Sequence, residues 1–271
     1  MARMKTGEKA PATTDEAVDA GRRVATIERA ADVLFLFAGD RPTLGVTEIA
    51  SELSISKAVV HRILTSLKDR GLVTSDATTR KYSLGPAVLE LAARYRQQLD
   101  VRPLAIEAME RLSAATSETA TLSIRSGWQR IYVEQVTPPL EVKMSVSLGV
   151  SHPLHAGSSS KAFLAFLSQE EQDAFFEDAT LTPLTERTVT NPIALRKELV
   201  KVREQGYAVS LGERQLGAAS VAAPIIEDGR PIAVISVCGP LERFRPKVDQ
   251  AAELVVAETE RISARLGHGP G

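Results

Sequence analysis

The sequence predicts an N-terminal winged helix-turn-helix, mostly α, joined by a helix to a C-terminal α+β domain with an antiparallel sheet. Three observations carry that prediction. Two short amphipathic segments, 46–53 and 56–69, are separated only by Ser54-Ile55-Ser56, the spacing of a helix-turn-helix. Two short alternating runs, Leu72-Val73-Thr74 and Lys81-Tyr82-Ser83-Leu84, flank the turn sequence SDATTR and read as a wing. Beyond residue 100, hairpin signals recur with helical segments between them, a pattern of antiparallel strands backed by helices.

Residues 1–21 are polar and lack the apolar core of a secretory signal, so a disordered tail is expected there. The winged domain is expected over 22–85, a linker helix over 86–100 and the second domain over 101–267. Within 24–38, Ile27, Ala30, Ala31, Leu34 and Phe37 or Phe35 recur at helical spacing, and the helix ends near Gly39-Asp40. Thr47 is the expected N-cap of the next helix, which carries Ile49, Ala50 and Leu53 on one face.

The third helix sorts into two faces. Val60, Ile63, Leu64 and Leu67 fall at i, i+3, i+4 and i+7 and form the buried stripe. Lys57, Ala58, His61, Arg62 and Thr65 share the opposite face, small at its start and basic or polar beyond. Such a face suits entry into a DNA major groove about 12 Å wide. Gly71 stops the helix. Arg80 and Lys81, in the wing, are placed to meet phosphates. Thr47, Ser56 and Val59 complete the candidate DNA-contacting set.

Charge agrees with this placement. The chain of 271 residues has a formal net charge of −1. Within 54–82, however, six basic residues (Lys57, Arg62, Lys68, Arg70, Arg80, Lys81) face only Asp69 and Asp76, an excess suited to a polyanion. A single cysteine, Cys238, excludes an internal disulfide framework and fits a reducing cytoplasm. No apolar run approaches the roughly 20 residues of a membrane span.

The run from Arg23 to Leu91, through IERAADVL, TEIASEL, VVHRILTSLKDRGLV and YSLGPAVLEL, resembles the winged-helix domain of the IclR family of bacterial transcriptional regulators. There is one departure. The family usually has a Ser-Thr pair early in the recognition helix, where this chain has Ala58-Val59. Those two can touch thymine methyls but cannot hydrogen-bond a base through their side chains, so the resemblance carries no operator sequence with it.

Pro86 opens a helix of about 13 residues, and a further helix is expected near 102–115. TATLSIRS and QRIYVEQV flank Gly127-Trp128 as a hairpin, and EVKMSVSLG reads as a third strand. SSKAFLAFL is a helix that starts in serines. Ser168 and Glu171 form a capping box for QEEQDAFFED. Asn191-Pro192 begins, and Gly206 ends, the helix IALRKELVKVREQ. ASVAAPIIEDGRPIAVISVCGP is a hairpin around Asp228-Gly229, and a long helix from about 246 to 265 closes the chain. The resemblance continues through PLHAGSSSKAFLAF, AAPI and VISVCGP to the family's effector domain, which is GAF-like in fold.

Four signals in this second domain bear on chemistry. Ser158-Ser159-Ser160-Lys161 matches the S-x-x-K nucleophile motif, but no S-D-N exists and the one K-T-G lies upstream in the tail. His152 and His155 have H-x-x-H spacing without a third metal ligand nearby. Cys238 ends an apolar strand and reads as an inert thiol. Trp128 is either a lid or a packing aromatic. No catalytic or metal site is assigned.

GSSSK can instead bind an anion at a helix N-terminus, where Ser158 and Ser159 add hydroxyl donors. Ser236 and Cys238 share one strand face at i, i+2. The resemblance implies that these segments, with Ser220, line the effector site, and Met144 is a further candidate. Plain capping and sheet packing explain the same serines without a ligand.

The reading is a sequence-specific transcriptional regulator, not an enzyme, with a double-stranded DNA operator and a small-molecule effector, a carboxylate by preference, as partners. It needs no cofactor, and it is expected to be cytoplasmic, without membrane association, and a homodimer or dimer of dimers. The alternatives are an S-x-x-K serine enzyme with an accessory winged helix, and a winged helix that binds protein.

Overall fold

Val60, Ile63, Leu64 and Leu67 are all buried, and the N-terminal unit is built around them. The structure is a computed structural model that describes residues 14–39 and 41–267, with side chains from residue 25 onward. It divides between Tyr95 and Arg96 into two units. The first holds α1 (Thr14–Leu36), α2 (Val46–Glu52), α3 (Lys57–Lys68), β1 (Val73–Ser75) and β2 (Tyr82–Leu84), and α4 (Ala87–Gln97) leads out of it. Val33, Phe37, Leu44, Ile49 and Val73 close the core around the α3 stripe. β1 pairs antiparallel with β2 to make the wing, and Leu44 bridges to Tyr82 beside it.

Three expectations for this unit are corrected. α1 begins at Thr14, so residues 14–21 of the expected tail are helical, while residues 1–13 lie outside the described residues. Ile27 and Phe35 are exposed and Phe37 is the aromatic that enters the core. Thr47 is not an N-cap. The cap is Gly45, whose N–H donates to the Glu48 carboxylate at 2.6 Å, and this starts α2 one residue before Thr47.

The second unit comprises α5 (Val101–Thr116), β3 (Thr119–Ser126), β4 (Gln129–Val136), β5 (Ser151–Pro153), α6 (Ser158–Phe166), α7 (Gln169–Asp178), α8 (Pro192–Gln205), β6 (Ala208–Leu211), β7 (Ala218–Glu227), β8 (Arg230–Pro240), α9 (Leu241–Phe244) and α10 (Val248–Leu266). The strands form one antiparallel sheet in the order β5-β4-β3-β8-β7-β6. Alternation along each strand divides its residues between two cores. Ala120, Leu122, Val221, Ile235 and Val237 pack with α5 and α10. Ala208, Ala222 and Val234 face the other way, under α6 and α8. The β7–β8 hairpin turns on Asp228 and Gly229, both at positive φ (49° and 75°), as a two-residue turn of the I′ type demands.

The strand expected over EVKMSVSLG does not form. Residues 141–149 run without a ladder: β5 takes Gln129–Ile131, and the segment's last residue meets β4 where the Gly149 N–H donates to the Tyr132 carbonyl at 2.9 Å. Side chains hold the segment instead. Thr119 Oγ1 donates to the Met144 carbonyl at 2.6 Å, and the Gln135 amide pairs with both the N–H and the carbonyl of Val146. β5 and β6, at three and four residues, are too short for alternation to have marked them.

Gly85 closes the wing at the point where α4 begins. Its N–H donates to the Leu72 carbonyl at 2.9 Å, and a Cβ there would collide with the Gly71 carbonyl oxygen. Gly85→Ala should destabilise the N-terminal unit by about 1–3 kcal/mol, the range for overpacking a closed site. Thermal unfolding of the variant beside the parent checks this; an unchanged midpoint would contradict the packing described.

Candidate functional site

Two surfaces gather the candidate residues, one in each unit. In the first, the face of α3 opposite the buried stripe is open: Lys57, Ala58, His61, Arg62 and Thr65 are all exposed. Ser56 is the N-cap of α3, its hydroxyl accepting from the Val59 N–H, and Val59 is half-buried against the core. Ser56 and Val59 thus position the helix more than they present it. Between α2, α3 and the wing runs a groove of about 600 Å³ lined by Thr47, His61, Arg80, Glu48 and Asp76 among others.

The two acids in this groove are committed locally. Glu48 takes the Gly45 N–H and pairs with Lys81 at 3.4 Å; the Gly45 hydrogen bond leads in holding its carboxyl below the ordinary value. Asp76 accepts from the N–H groups of Thr78 and Thr79, which lower its pKa and shape the wing turn. Arg80 remains exposed, whereas the Lys81 ammonium is shared with Glu48.

In the second unit the polar site follows from sheet register. Thr119 pairs with Cys238, Cys238 with Ser220, and Ser220 with Ser210. Strand pairing therefore sets these four side chains in a row across β3, β8, β7 and β6, on the face that α6 covers. The apolar body of α6 lies over the apolar half of that face, which leaves its first turn over the polar row. Ser158 Oγ meets Ser220 Oγ at 2.7 Å. Together with the 141–149 segment these residues enclose a small cavity of about 30 Å³.

Met144, Ser158, Ser159, Ser220 and Cys238 all line this cavity. Ser236 does not: it sits one row deeper, hydrogen-bonded to Thr121 Oγ1 at 2.7 Å. Burial drives the Cys238 thiol up to about 12, as expected of an inert sulfur. His155 is buried with Nε2 2.8 Å from the Thr182 carbonyl, and no metal-ligating cluster exists among the described residues.

Sequence reasoning missed the charged part of the site. Arg130 and Tyr132 on β4, and Arg214 on the loop after β6, also line the cavity. The Arg130 side chain is 1% exposed, yet its partners are all neutral: Ser160 Oγ at 2.8 Å, Ser123 Oγ at 3.4 Å and Tyr132 OH at 3.0 Å. Its guanidinium carbon lies 4.2 Å from the Tyr132 ring centroid, and that of Arg214 lies 5.9 Å from the same ring. The available signal was an arginine at an inward strand position, since Ile131 and Val133 already claim the opposite face.

The loop bearing Arg214 is fixed through its neighbour Glu213. That carboxylate takes Lys161 Nζ at 2.5 Å and the Gly157 N–H at 3.3 Å, and Thr188 Oγ1 donates to its carbonyl at 2.6 Å. Lys161 is fully buried and also pairs with Glu198. Held between two carboxylates, it is not free to act as a base on Ser158.

A family model described as the bacterial transcriptional regulator IclR C-terminal matches residues 93–264, and one described as the IclR helix-turn-helix domain matches 26–77. The glycerol operon regulatory protein of Streptomyces griseus is 34% identical over 253 residues, covering 92% of this chain and 98% of that protein. A crystal structure of a putative IclR transcriptional regulator from Silicibacter sp. TM1040 is similar at a TM-score of 0.80 and 28% identity, covering 89% of this chain and 96% of that one. An IclR homologue from Microbacterium hydrocarbonoxydans, crystallised with 4-hydroxybenzoate, is similar at 0.76 and 25% identity, covering 90% and 100%.

The charges at the cavity act on His152, which packs edge-on to Tyr132 at 5.4 Å. Burial first, then Arg130 and Arg214, lower its pKa from 6.5 to about 4. The unfolded chain then takes up this proton before the folded one, so stability falls as pH drops from about 6.5 to about 4. For a half-buried ring the loss should be on the order of 1 kcal/mol. Thermal unfolding at pH 7 and pH 4.5 should show a smaller drop in His152→Gln than in the parent; equal drops would remove His152 from the account.

Proposed function

Because the chain belongs to the IclR family of bacterial transcriptional regulators, we propose that it binds a specific operator through α3 and the wing, and that a small carboxylate in the second unit modulates this binding. The observation that carries the first half is the division of α3. Its apolar stripe is spent on the core, and its exposed face presents Lys57, His61 and Arg62. Arg62 reads a base edge, and Arg80 in the wing meets a phosphate. Thr47, Ser56, Ala58, Val59, Thr65 and Lys81 supply the surrounding contacts and position. One recognition helix reads too few base pairs for useful specificity, so paired half-sites and a homodimer or dimer of dimers follow. Leu89, Leu91 and Tyr95 on α4, a helix with no buried residue, support a surface that a second copy covers. No helix among the described residues is long and apolar enough to cross a membrane, and the reading places the protein in the cytoplasm.

The effector half rests on Arg130. A buried guanidinium with only neutral partners is costly unless an anion joins it. The 4-hydroxybenzoate held by the Microbacterium homologue supports a carboxylate as that anion. Met144, Ser158, Ser159, Ser220 and Cys238 would surround it, with Ser236 behind them. The serine-enzyme alternative is disfavoured by the engagement of Lys161 with Glu198 and Glu213.

Coupling between the two sites runs through β4. Glu134 accepts from Arg96, at the end of α4, and from Arg102 of α5, each at 2.7 Å. Burial opposes its ionised form, but hydrogen bonds from Arg102 and Arg96 outweigh this and hold its carboxyl below the ordinary value. The strand that carries Arg130 thus also holds Arg96, the first residue of the second unit.

Fragments of genomic DNA retained by the purified protein, titrated across salt beside random DNA, test the operator reading. A shared, roughly palindromic site bound about 10³-fold or more above random DNA is expected. On that site Arg62→Ala should cost about 1–3 kcal/mol and relax base preference, whereas Arg80→Ala should weaken all sequences alike and lower the salt slope by about one. Equal affinity for all DNA would leave the protein-binding reading of the winged helix. For the coupling, Glu134→Gln should keep operator and carboxylate binding while a ligand-induced change of about tenfold, equivalent to about 1.4 kcal/mol, collapses toward none. Unchanged coupling would remove Glu134 from the path.

A further inference from the structure

The charge at the cavity says more about the ligand than that it is an acid. Resting on the reading of this cavity as the effector site, we infer that the ligand is a short-chain dicarboxylate, one carboxylate on Arg130 and the other on Arg214.

Arg130 and Arg214 flank one aromatic ring, Tyr132, at 4.2 and 5.9 Å from its centroid, so both charges bear on the same small space. Among the described residues no carboxylate lines that space. The nearest acids are engaged elsewhere. Glu118 is held by Arg243 through two hydrogen bonds of 2.7 and 2.8 Å. Glu213 shares Lys161 with the more exposed Glu198. Among the described residues Arg214 forms no hydrogen bond or ion pair. Arg130 spends one N–H on each of three hydroxyls, which leaves two of the five donors of a guanidinium. Two cations, each with donors to spare, are therefore left for the ligand to match.

A monoacid would neutralise one of them and leave the other unmatched. The two guanidiniums already oppose each other: burial first, and Arg214 against the favourable effect of Tyr132, disfavour the charged form of Arg130. Shape points the same way. The lining offers hydroxyls from Ser158, Ser159, Ser210 and Ser220 and only small apolar surfaces beside Met144 and Val146. A lining this rich in hydroxyls favours a polar chain over an aromatic ring.

Calorimetric titration of the full-length protein with oxalate, malonate, succinate and L-malate, each beside its monoamide, separates charge from size. 4-Hydroxybenzoate and inorganic phosphate complete the panel. At least one dicarboxylate should bind about tenfold or more tightly than its own monoamide. Arg214→Gln should bring that dicarboxylate down to the monoamide level and leave the monoamide little changed, and Arg214→Lys should restore part of the difference. Arg214 is half-exposed on a loop, so neither variant removes core packing. Monoamides or 4-hydroxybenzoate binding as tightly as every dicarboxylate would overturn the inference, as would phosphate binding alone. If monoacids bind and Arg130→Met abolishes that binding, the effector reading stands and only the dicarboxylate assignment fails. Binding by no member of the panel would overturn both.

Discussion

A guanidinium in the core with no acid beside it is the constraint around which the second unit is arranged. Taking Arg130 out of water costs several kcal/mol unless its donors are met. Three of the five are met, by Ser123 on β3, Tyr132 on β4 and Ser160 in the first turn of α6. An Asp or Glu at any of these positions would satisfy the charge permanently and leave nothing for a ligand to add. Hydroxyls satisfy the geometry and leave the charge standing. The run of three serines then sorts by direction: Ser158 meets Ser220 on the sheet, Ser160 holds Arg130, and Ser159 faces the cavity.

A single irregularity keeps the site positive. Strict alternation along β4 would put Glu134 on the same face as Arg130 and Tyr132. The register slips between Leu122↔Glu134 and Ser123↔Tyr132, so that Val133 is an extra residue on β4. A bulge of this kind places two successive side chains toward one face. Val133 joins the α5–α10 core, and Glu134 meets Arg102 of α5 and Arg96 of α4. One inserted residue thus removes an acid from the cavity face and gives it to Arg96 and Arg102. Beyond the bulge Gln135 returns to the ligand face, where it holds Val146.

Much of this architecture was legible in the sequence wherever a pattern is local. The α3 stripe, the Ser168–Glu171 capping box, the Asn191 cap and the Asp228-Gly229 turn each follow from neighbouring residues, and each stands in the structure. What could not be read depends on competition between distant segments. EVKMSVSLG alternates like a strand, but side chains of Thr119 and Gln135 hold it in place of a ladder, and β5 takes the first residues of β4. Thr47 is a good capping residue, yet Glu48 reaching back to Gly45 starts the helix earlier. The serine and cysteine part of the site was visible in short motifs. Arg130 and Arg214 were not, because 84 positions of chain separate them and only the ring of Tyr132 brings them together.

A ligand regulates only through differential affinity for two arrangements of the protein. Neutralising two charges equally well in both arrangements would tighten binding and change no operator occupancy. The two arginines must therefore differ in freedom, and they do. Arg130 is fixed by three hydrogen bonds from two strands and a helix. Arg214 has none among the described residues and rides between Gly212 and Gly217, both at positive φ. Its backbone is anchored on both sides, by Glu213 before it and by the Gln215 and Gly217 carbonyls after it, so the freedom lies in the Arg214 side chain. The roof at 141–149 is likewise held by side chains rather than a ladder. On the effector reading proposed above, an anion seated on Arg130 would draw Arg214 and the roof toward a fixed point. The roof is tied to β4 at Gln135, whose neighbour Glu134 holds Arg96 and Arg102 at the start of the second unit.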